Sequence, residues 1–210
     1  MRIIAGLKRG MTLLSPPGNS TRPITDRVKE SLFSILYNHG LPEGAVVADL
    51  FCGTGSMGLE SLSRGAAWVT FIDKDRRVVE ILKKNIDRAV FTDHCKPLAA
   101  NIFVVGAAPL PEHGLYDLVF VDPPYAMSLN SDTGTKVAGL MEMIAAQVKP
   151  EALVVLRTHE DAFTCDHYGQ LVEADARSWG SMKIVFYQKT EATASPEGEI
   201  NHEEHKAHEE

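Results

Sequence analysis

Short unbroken apolar runs alternate along this chain with stretches in which apolar residues recur every three or four positions. Runs of the first kind read as strands buried on both faces, and stretches of the second kind read as amphipathic helices. The spacing predicts helices over about 26–38 (Val28, Leu32, Ile35, Leu36), from just after Gly58 to Arg64, 75–89 (Val78, Leu82, Ile86) and 136–148 (Val137, Leu140, Met141, Ile144). Thr25 or Asp26 can cap the first of these and Gly40 can end it. Strands are expected at 46–50, 66–72, 95–99, 116–121 and 152–156, each separated from the next by helical sequence or loop, so the sheet is doubly wound and mostly parallel. Two last strands, 170–177 and 182–188, have only Ser178 to Ser181 between them and must be antiparallel. At the front, 2–5 and 11–14 read as a β-hairpin around Lys8-Arg9-Gly10. A loop rich in Pro, Gly and Ser follows, from Ser15 to Pro23, and a second polar loop spans 127–134.

The composition sets limits on this picture. With 210 residues, 44% of them hydrophobic and 23% charged, the chain suits one globular domain. Residues 1–40 form a basic hairpin and helix within that domain, 41–189 its main body, and 190–210 an acidic tail expected to be disordered because it lacks aromatics and is dominated by glutamate. No window approaches the roughly 18 apolar residues of a membrane span, and the N-terminus lacks the apolar core of a signal peptide, so a cytoplasmic protein is expected. Cys52, Cys95 and Cys165 are odd in number and carry no C-x-x-C spacing, which argues for free thiols. His202-Glu203-Glu204-His205 places its histidines three apart, not four as in H-E-x-x-H, and no metal is assigned.

The net charge of −7 would disfavour a nucleic-acid partner if it were evenly spread. It is not: residues 191–210 carry seven glutamates against Lys206, while residues 1–40 carry six Lys/Arg against Asp26 and Glu30. The front of the chain is basic.

Two stretches carry candidate chemistry. After the 46–50 strand, Gly53-Thr54-Gly55-Ser56-Met57-Gly58 is a G-x-G-x-x-G opening into a helix, with Asp73 at the tip of the next strand. Such glycines let a backbone approach a ligand closely, and an acid about 20 residues on can accept both hydroxyls of a ribose. The second stretch is Asp122-Pro123-Pro124-Tyr125, directly after a fully apolar strand. Two prolines end a strand, but neither an acid nor an aromatic is needed for that. The turn offers a carboxylate, a Pro123 carbonyl that no ladder consumes and a flat ring, which suits a planar exocyclic amine. A nicotinamide-dependent dehydrogenase and a non-enzymatic RNA-binding protein also fit parts of the sequence, but the dehydrogenase has no use for the second stretch and the binding protein none for the first.

Asp49-Leu50-Phe51-Cys52-Gly53-Thr54-Gly55 together with Asp122-Pro123-Pro124-Tyr125 resembles a class I methyltransferase acting on an exocyclic amine, a Rossmann-like fold. Arg2 to Gly6 with Arg9-Gly10, Thr21 to Phe33 and Gly58 to Ala66 further resemble the RsmD family, over about residues 1–188. The resemblance implies methylation of guanine N2 in small-subunit ribosomal RNA, of the guanine 966 type in 16S rRNA, with S-adenosylmethionine as cofactor and an assembling or assembled 30S particle as partner. It implies no membrane and no obligate protein partner. By position, Asp49, Gly53 and Gly55 would surround the methionine part of the cofactor, Asp73 its ribose, and Asn101 with Ile102 its adenine. Asp122, Pro123 and Tyr125 would hold the target base, and Lys8, Arg9, Arg22 and Arg27 the RNA phosphates. The turn alone leaves adenine N6 or another amine open as acceptor.

Overall fold

A computed structural model describes residues 1–16, 24–124, 127 and 129–190; Arg22, Tyr125 and the tail from 191 lie outside the described residues. Among the described residues an eight-stranded sheet runs β3-β2-β1-β4-β6-β10-β9-β8. Its strands are β1 (Val46–Leu50), β2 (Trp68–Asp73), β3 (Cys95–Ala99), β4 (Tyr116–Val121), β6 (Val148–His159), β8 (His167–Tyr168), β9 (Leu171–Trp179) and β10 (Met182–Lys189). The first four of these and β6 are mutually parallel, and β10, β9 and β8 are added antiparallel, as the short link between the last two long strands requires. A separate two-stranded pairing joins β5 (Asn130–Ser131), within what reads in sequence as a plain polar loop, to β7 (Phe163–Thr164).

Helices cover both faces. On one side α1 (Asp26–Asn38), α2 (Ser56–Ser63) and α3 (Arg76–Ala89) enclose Val47, Leu118, Phe120, Leu153 and Val155 in one core; on the other, α4 (Ile102–Val105) and α5 (Lys136–Ala145) pack over Ala48, Leu50, Val119, Val121, Val154 and Leu156. Alternate residues of each strand therefore feed different cores, which is why β4 and β6 carry the unbroken apolar runs 118–121 and 152–156. Side chains start the helices: Thr25 Oγ1 accepts from Val28 N at 3.4 Å, Asp75 Oδ1 from Arg77 N at 2.9 Å and Thr135 Oγ1 from Ala138 N at 3.1 Å.

The front of the chain departs from the expected hairpin. It makes a single antiparallel bridge, Arg2 to Thr12, flanked by Ile3 N to Met11 O and Leu13 N to Met1 O at 3.0 Å each, and it turns through a 3-10 segment, Gly6–Lys8. The ladder stops because Ile4 N and Ala5 N donate instead to Glu60 of α2, at 2.8 and 3.0 Å. Glu60 is fully buried and also meets Arg64 Nε at 2.8 Å and Lys29 Nζ at 3.5 Å, so α1, α2 and the N-terminus converge on one carboxylate. Gly6 lies so close to α2 that a Cβ would fall 1.7 Å from Ser63 O.

Smaller differences have local causes. On α3 the buried valine is Val79, not Val78, because the stripe follows Val79, Leu82, Asn85, Ile86 and Ala89. β6 begins at Val148, ahead of Lys149-Pro150, where a register shift against Tyr116 and Leu118 absorbs the proline. All three cysteines are free, and among the described residues no helix is long and apolar enough to cross a membrane.

Candidate active site

The carboxyl ends of β1, β2 and β4 gather the acids that the sequence singles out, at the point where strand order reverses beside β1. β1 leaves the sheet through Phe51, with φ of 55°, and the glycine loop follows with Gly53 and Gly55 at φ of 54° and 88°. The two glycines differ in what they serve. A Cβ on Gly55 would fall 2.5 Å from Leu82 Cδ1, so that residue lets α2 close on α3, whereas a Cβ on Gly53 would meet nothing and would intrude only on open space. Asp73 shapes this loop directly: Oδ2 accepts Gly53 N and Oδ1 accepts Asp75 N, both at 3.0 Å. In the same loop and the first turn of α2, Thr54 Oγ1 and Ser56 Oγ are buried without a hydrogen-bond partner.

Asp49 is 1% exposed inside β1, and its Oδ2 accepts Gly58 N at 2.9 Å. Burial pushes its carboxyl up to about 7; the Gly58 bond opposes this, and the like charges of Asp122 and Asp73 add to it. A buried carboxylate of this kind is poised to take up a cationic ligand.

Two recesses open around the Asp122–Pro124 turn. One lies among Phe51, Lys74, Asn101, Ile102, Phe103 and Pro124. The rings of Phe51 and Phe103 meet edge to face at 5.7 Å. Asn101 Oδ1 caps α4 by accepting Phe103 N at 3.2 Å, which uses one of its two lone pairs. The walls suit a flat ring with polar edges.

The other recess is lined by Leu32, Met57, Phe120, Val155 and Ile184, with Asp122 and Arg157 as its charged members. Arg157 Nε lies 2.7 Å from Asp122 Oδ1. Burial raises the Asp122 carboxyl above its ordinary value, and the Arg157 guanidinium opposes that rise. Asp122 thus lines one recess while Pro124 lines the other.

The family model described as Conserved hypothetical protein 95 matches residues 1–188, nearly the whole described body. The chain belongs to this family, the RsmD family. Ribosomal RNA small subunit methyltransferase D of Haemophilus influenzae is 36% identical over 167 residues, 77% of this chain and 80% of that protein. The Escherichia coli protein yhhF, provisionally described as a methyltransferase, superposes with a TM-score of 0.74 at 29% identity, over 90% of this chain and 98% of its own. An RNA methyltransferase from Salinibacter ruber, solved in complex with S-adenosyl-L-homocysteine, shares the fold with a TM-score of 0.59 at 15% identity, over 81% and 95% of the two chains.

Within this RsmD-family fold the residues singled out in sequence fall into two groups. Asp49, Gly53, Gly55, Asp73, Asp122 and Pro123 come together at the strand ends, and Asn101 and Ile102 follow β3 beside them. Lys8, Arg9 and Arg27 lie on the N-terminal turn and α1; Arg9 and Arg27 are exposed, while Lys8 Nζ sits 5.8 Å over the Phe91 ring. Sequence reading missed Arg157, the Phe51 and Phe103 walls and the Glu60 carboxylate. For Arg157 the sequence shows only that it is the first charged residue after the apolar run 152–156; its place beside Asp122 comes from the pairing of Leu156 with Val121.

Proposed function

We propose that the protein transfers a methyl group from S-adenosylmethionine to the exocyclic N2 of a guanine in small-subunit ribosomal RNA, in the cytoplasm, with the base turned out of its stack into the recess at Asp122. The observation that carries this reading is the sharing of one strand-end turn by two recesses, one walled by Phe51 and Phe103 and the other holding a carboxylate. S-adenosylmethionine supplies the methyl on a positively charged sulfonium. The residues present suit it: Asp49 offers a buried negative charge to the methionine end, Asp73 an acceptor for the ribose, Asn101 with Ile102 an edge for the adenine, and Gly53 the room for close approach. The unpartnered Thr54 Oγ1 and Ser56 Oγ are further polar atoms in that loop.

An exocyclic amine on a purine is a weak nucleophile because its lone pair is delocalised into the ring. Asp122 and the Pro123 carbonyl accept its two hydrogens, which favours a pyramidal nitrogen; as the N–C bond forms and the C–S bond breaks to leave the neutral thioether, the Asp122 charge offsets the positive charge that grows on that nitrogen, and one of the two N–H protons then passes by way of Asp122 to solvent. Tyr125 stacks on the base. A paired base cannot present this edge, so the target is unpaired or flipped out. Arg9 and Arg27, with Lys8 and Arg22, hold phosphates outside the recess.

The test is methyl transfer from labelled S-adenosylmethionine to free 16S rRNA and to 30S particles, followed by nucleoside mass spectrometry. N2-methylguanosine is the expected product. N6-methyladenosine would overturn the choice of base, and no incorporation into either substrate would overturn the reading.

A further inference from the structure

Asp122 works in the proposed reaction only as a carboxylate. A neutral acid would direct an O–H at an amine with no free lone pair and would carry no charge to offset. Its surroundings favour the neutral form, since Leu32, Met57, Phe120, Val155 and Ile184 line the recess and a carboxylate among such groups is poorly solvated. Something must hold the charge.

We infer that Arg157 is the positioning residue for Asp122, keeping its carboxylate ionised and fixing its rotation toward the target amine; the inference rests on the function proposed above. The backbone arranges the meeting. Val121 and Leu156 are the last paired positions of the parallel β4 and β6, so Asp122 and Arg157 come next side by side, Asp122 just past the end of β4 and Arg157 still paired with Ile184 of β10. By strand alternation each continues the face of the residue two before it, Phe120 and Val155, and both of those belong to the core on the recess side. Nε then meets Oδ1 at 2.7 Å, a charge-assisted contact that fixes one carboxylate oxygen.

The choice of cation matters. A guanidinium stays protonated throughout the working range, so unlike a buried lysine it cannot escape the pair by losing its proton. Only 24% of the Arg157 side chain and 27% of the Asp122 side chain is accessible, so the pair is largely desolvated yet open enough for a base to reach the carboxylate. Among the described residues, other charges lie close by: Asp122 and Asp73 push the Asp49 carboxyl of β1 up and Lys29 of α1 opposes them, while at the recess itself α1, α2 and β10 bring Leu32, Met57 and Ile184. The upward push of burial on the Asp122 carboxyl, opposed by Arg157, agrees with this arrangement.

The experiment measures methyl transfer to 16S rRNA or 30S particles from about pH 5.5 to 9 for the wild type, Arg157→Met, Arg157→Lys, Asp122→Asn and the Asp122→Asn/Arg157→Met double variant, with S-adenosylmethionine affinity by calorimetry. In Arg157→Met the counter-charge is gone, so the Asp122 carboxyl rises further and ionises only at higher pH. The acid limb of the profile is expected to move up by about one unit or more and kcat near pH 7 to fall about tenfold or more, while KM for RNA and cofactor affinity change less than about threefold. Arg157→Lys keeps the charge and loses the planar fork; it should recover part of the rate with its acid limb within about half a unit of wild type. In the Asp122→Asn background the Met substitution should cost little more, because the two residues act as a unit. A Met variant with the wild-type pH profile, or additive losses in the double variant, would overturn the inference. Should Arg157→Met fail to fold, the Lys variant decides: a limb displaced as far as a full unit would overturn it. Absence of methyl transfer by the wild type would overturn the function itself, and this inference with it.

Discussion

Asn85 and Leu14 bind each other twice: Asn85 Oδ1 accepts Leu14 N at 2.8 Å and Asn85 Nδ2 donates to Leu14 O at 3.1 Å. The same Nδ2 also donates to Thr54 O at 3.1 Å, so one fully buried amide on α3 joins the N-terminal segment to the glycine loop. Asn85→Ala leaves these backbone groups without partners. Stability is expected to fall by about 2–4 kcal/mol, read as a lower urea midpoint at unchanged slope, with weaker cofactor binding as the loop loosens. A midpoint within the scatter of the wild type would show that water replaces the amide at no cost.

Asp49 predicts a pH dependence of two kinds. Its folded carboxyl lies at about 7 against an ordinary 3.8, so the folded protein keeps a proton that the unfolded chain releases between those values. The contribution to stability is therefore complete below about pH 4 and is lost as pH rises toward 7. Asp49→Asn, whose carbonyl can still accept Gly58 N, should melt higher than the wild type at pH 8 while binding S-adenosylmethionine more weakly.

The second kind concerns the ligand. A cation favours the ionised form, so cofactor binding should expel a proton near pH 6.5, and affinity should weaken as pH falls below about 7. Calorimetry at that pH in phosphate and in Tris checks it: equal heats in the two buffers would mean that no proton leaves.

Asp73 is tied to Gly53 and Asp75, so its replacement acts on the loop as well as on a ribose. Asp73→Ala should weaken cofactor binding by about 1.5–3 kcal/mol, and Asp73→Asn by less, because its one carbonyl can still accept Gly53 N. Equal affinities for Ala and wild type would remove Asp73 from the cofactor site.

Replacing Lys8 and Arg9 together by alanine should weaken RNA binding and flatten its salt dependence while leaving cofactor affinity alone. Filter binding from about 50 to 300 mM salt reads both. An unchanged slope would place the docking surface elsewhere.

At the turn itself, Asp122→Ala should leave cofactor affinity within a few fold and reduce turnover by about a hundredfold, near 2.7 kcal/mol in the barrier. Asp122→Asn should retain more activity than alanine. Tyr125→Phe should be mild and Tyr125→Ala severe, since stacking uses the ring and not the hydroxyl. Single-turnover rates on 30S particles would separate these from effects on product release.

What could be read from the sequence was what a single segment decides. The glycine loop, the helix cap at Thr25 and the stop at Pro123-Pro124 each follow from neighbours a few residues apart. Arg157 could not be placed beside Asp122 without knowing that β6 is the strand next to β4, and nothing near either residue fixes that order. Phe51 and Phe103 look like ordinary core until the turn at positive φ and the short α4 bring their edges together. The N-terminal ladder was misjudged for a related reason: its alternation is that of a strand, and the competitor for its amides sits more than 50 residues away on α2.

That competitor ties the basic front end to α2. Because the Ile4 and Ala5 amides and Arg64 Nε donate to Glu60, Lys29 faces it while donating to Arg2 O, and Gly6 admits no side chain against Ser63, a change on either partner strands a charge or a clash on the other. Positions 2–8, 29 and 60–64 should therefore be inherited as one block, drifting together among relatives rather than independently. A chimaera that swaps only the first eight residues between distant members should fold poorly, and one that swaps α2 with them should recover.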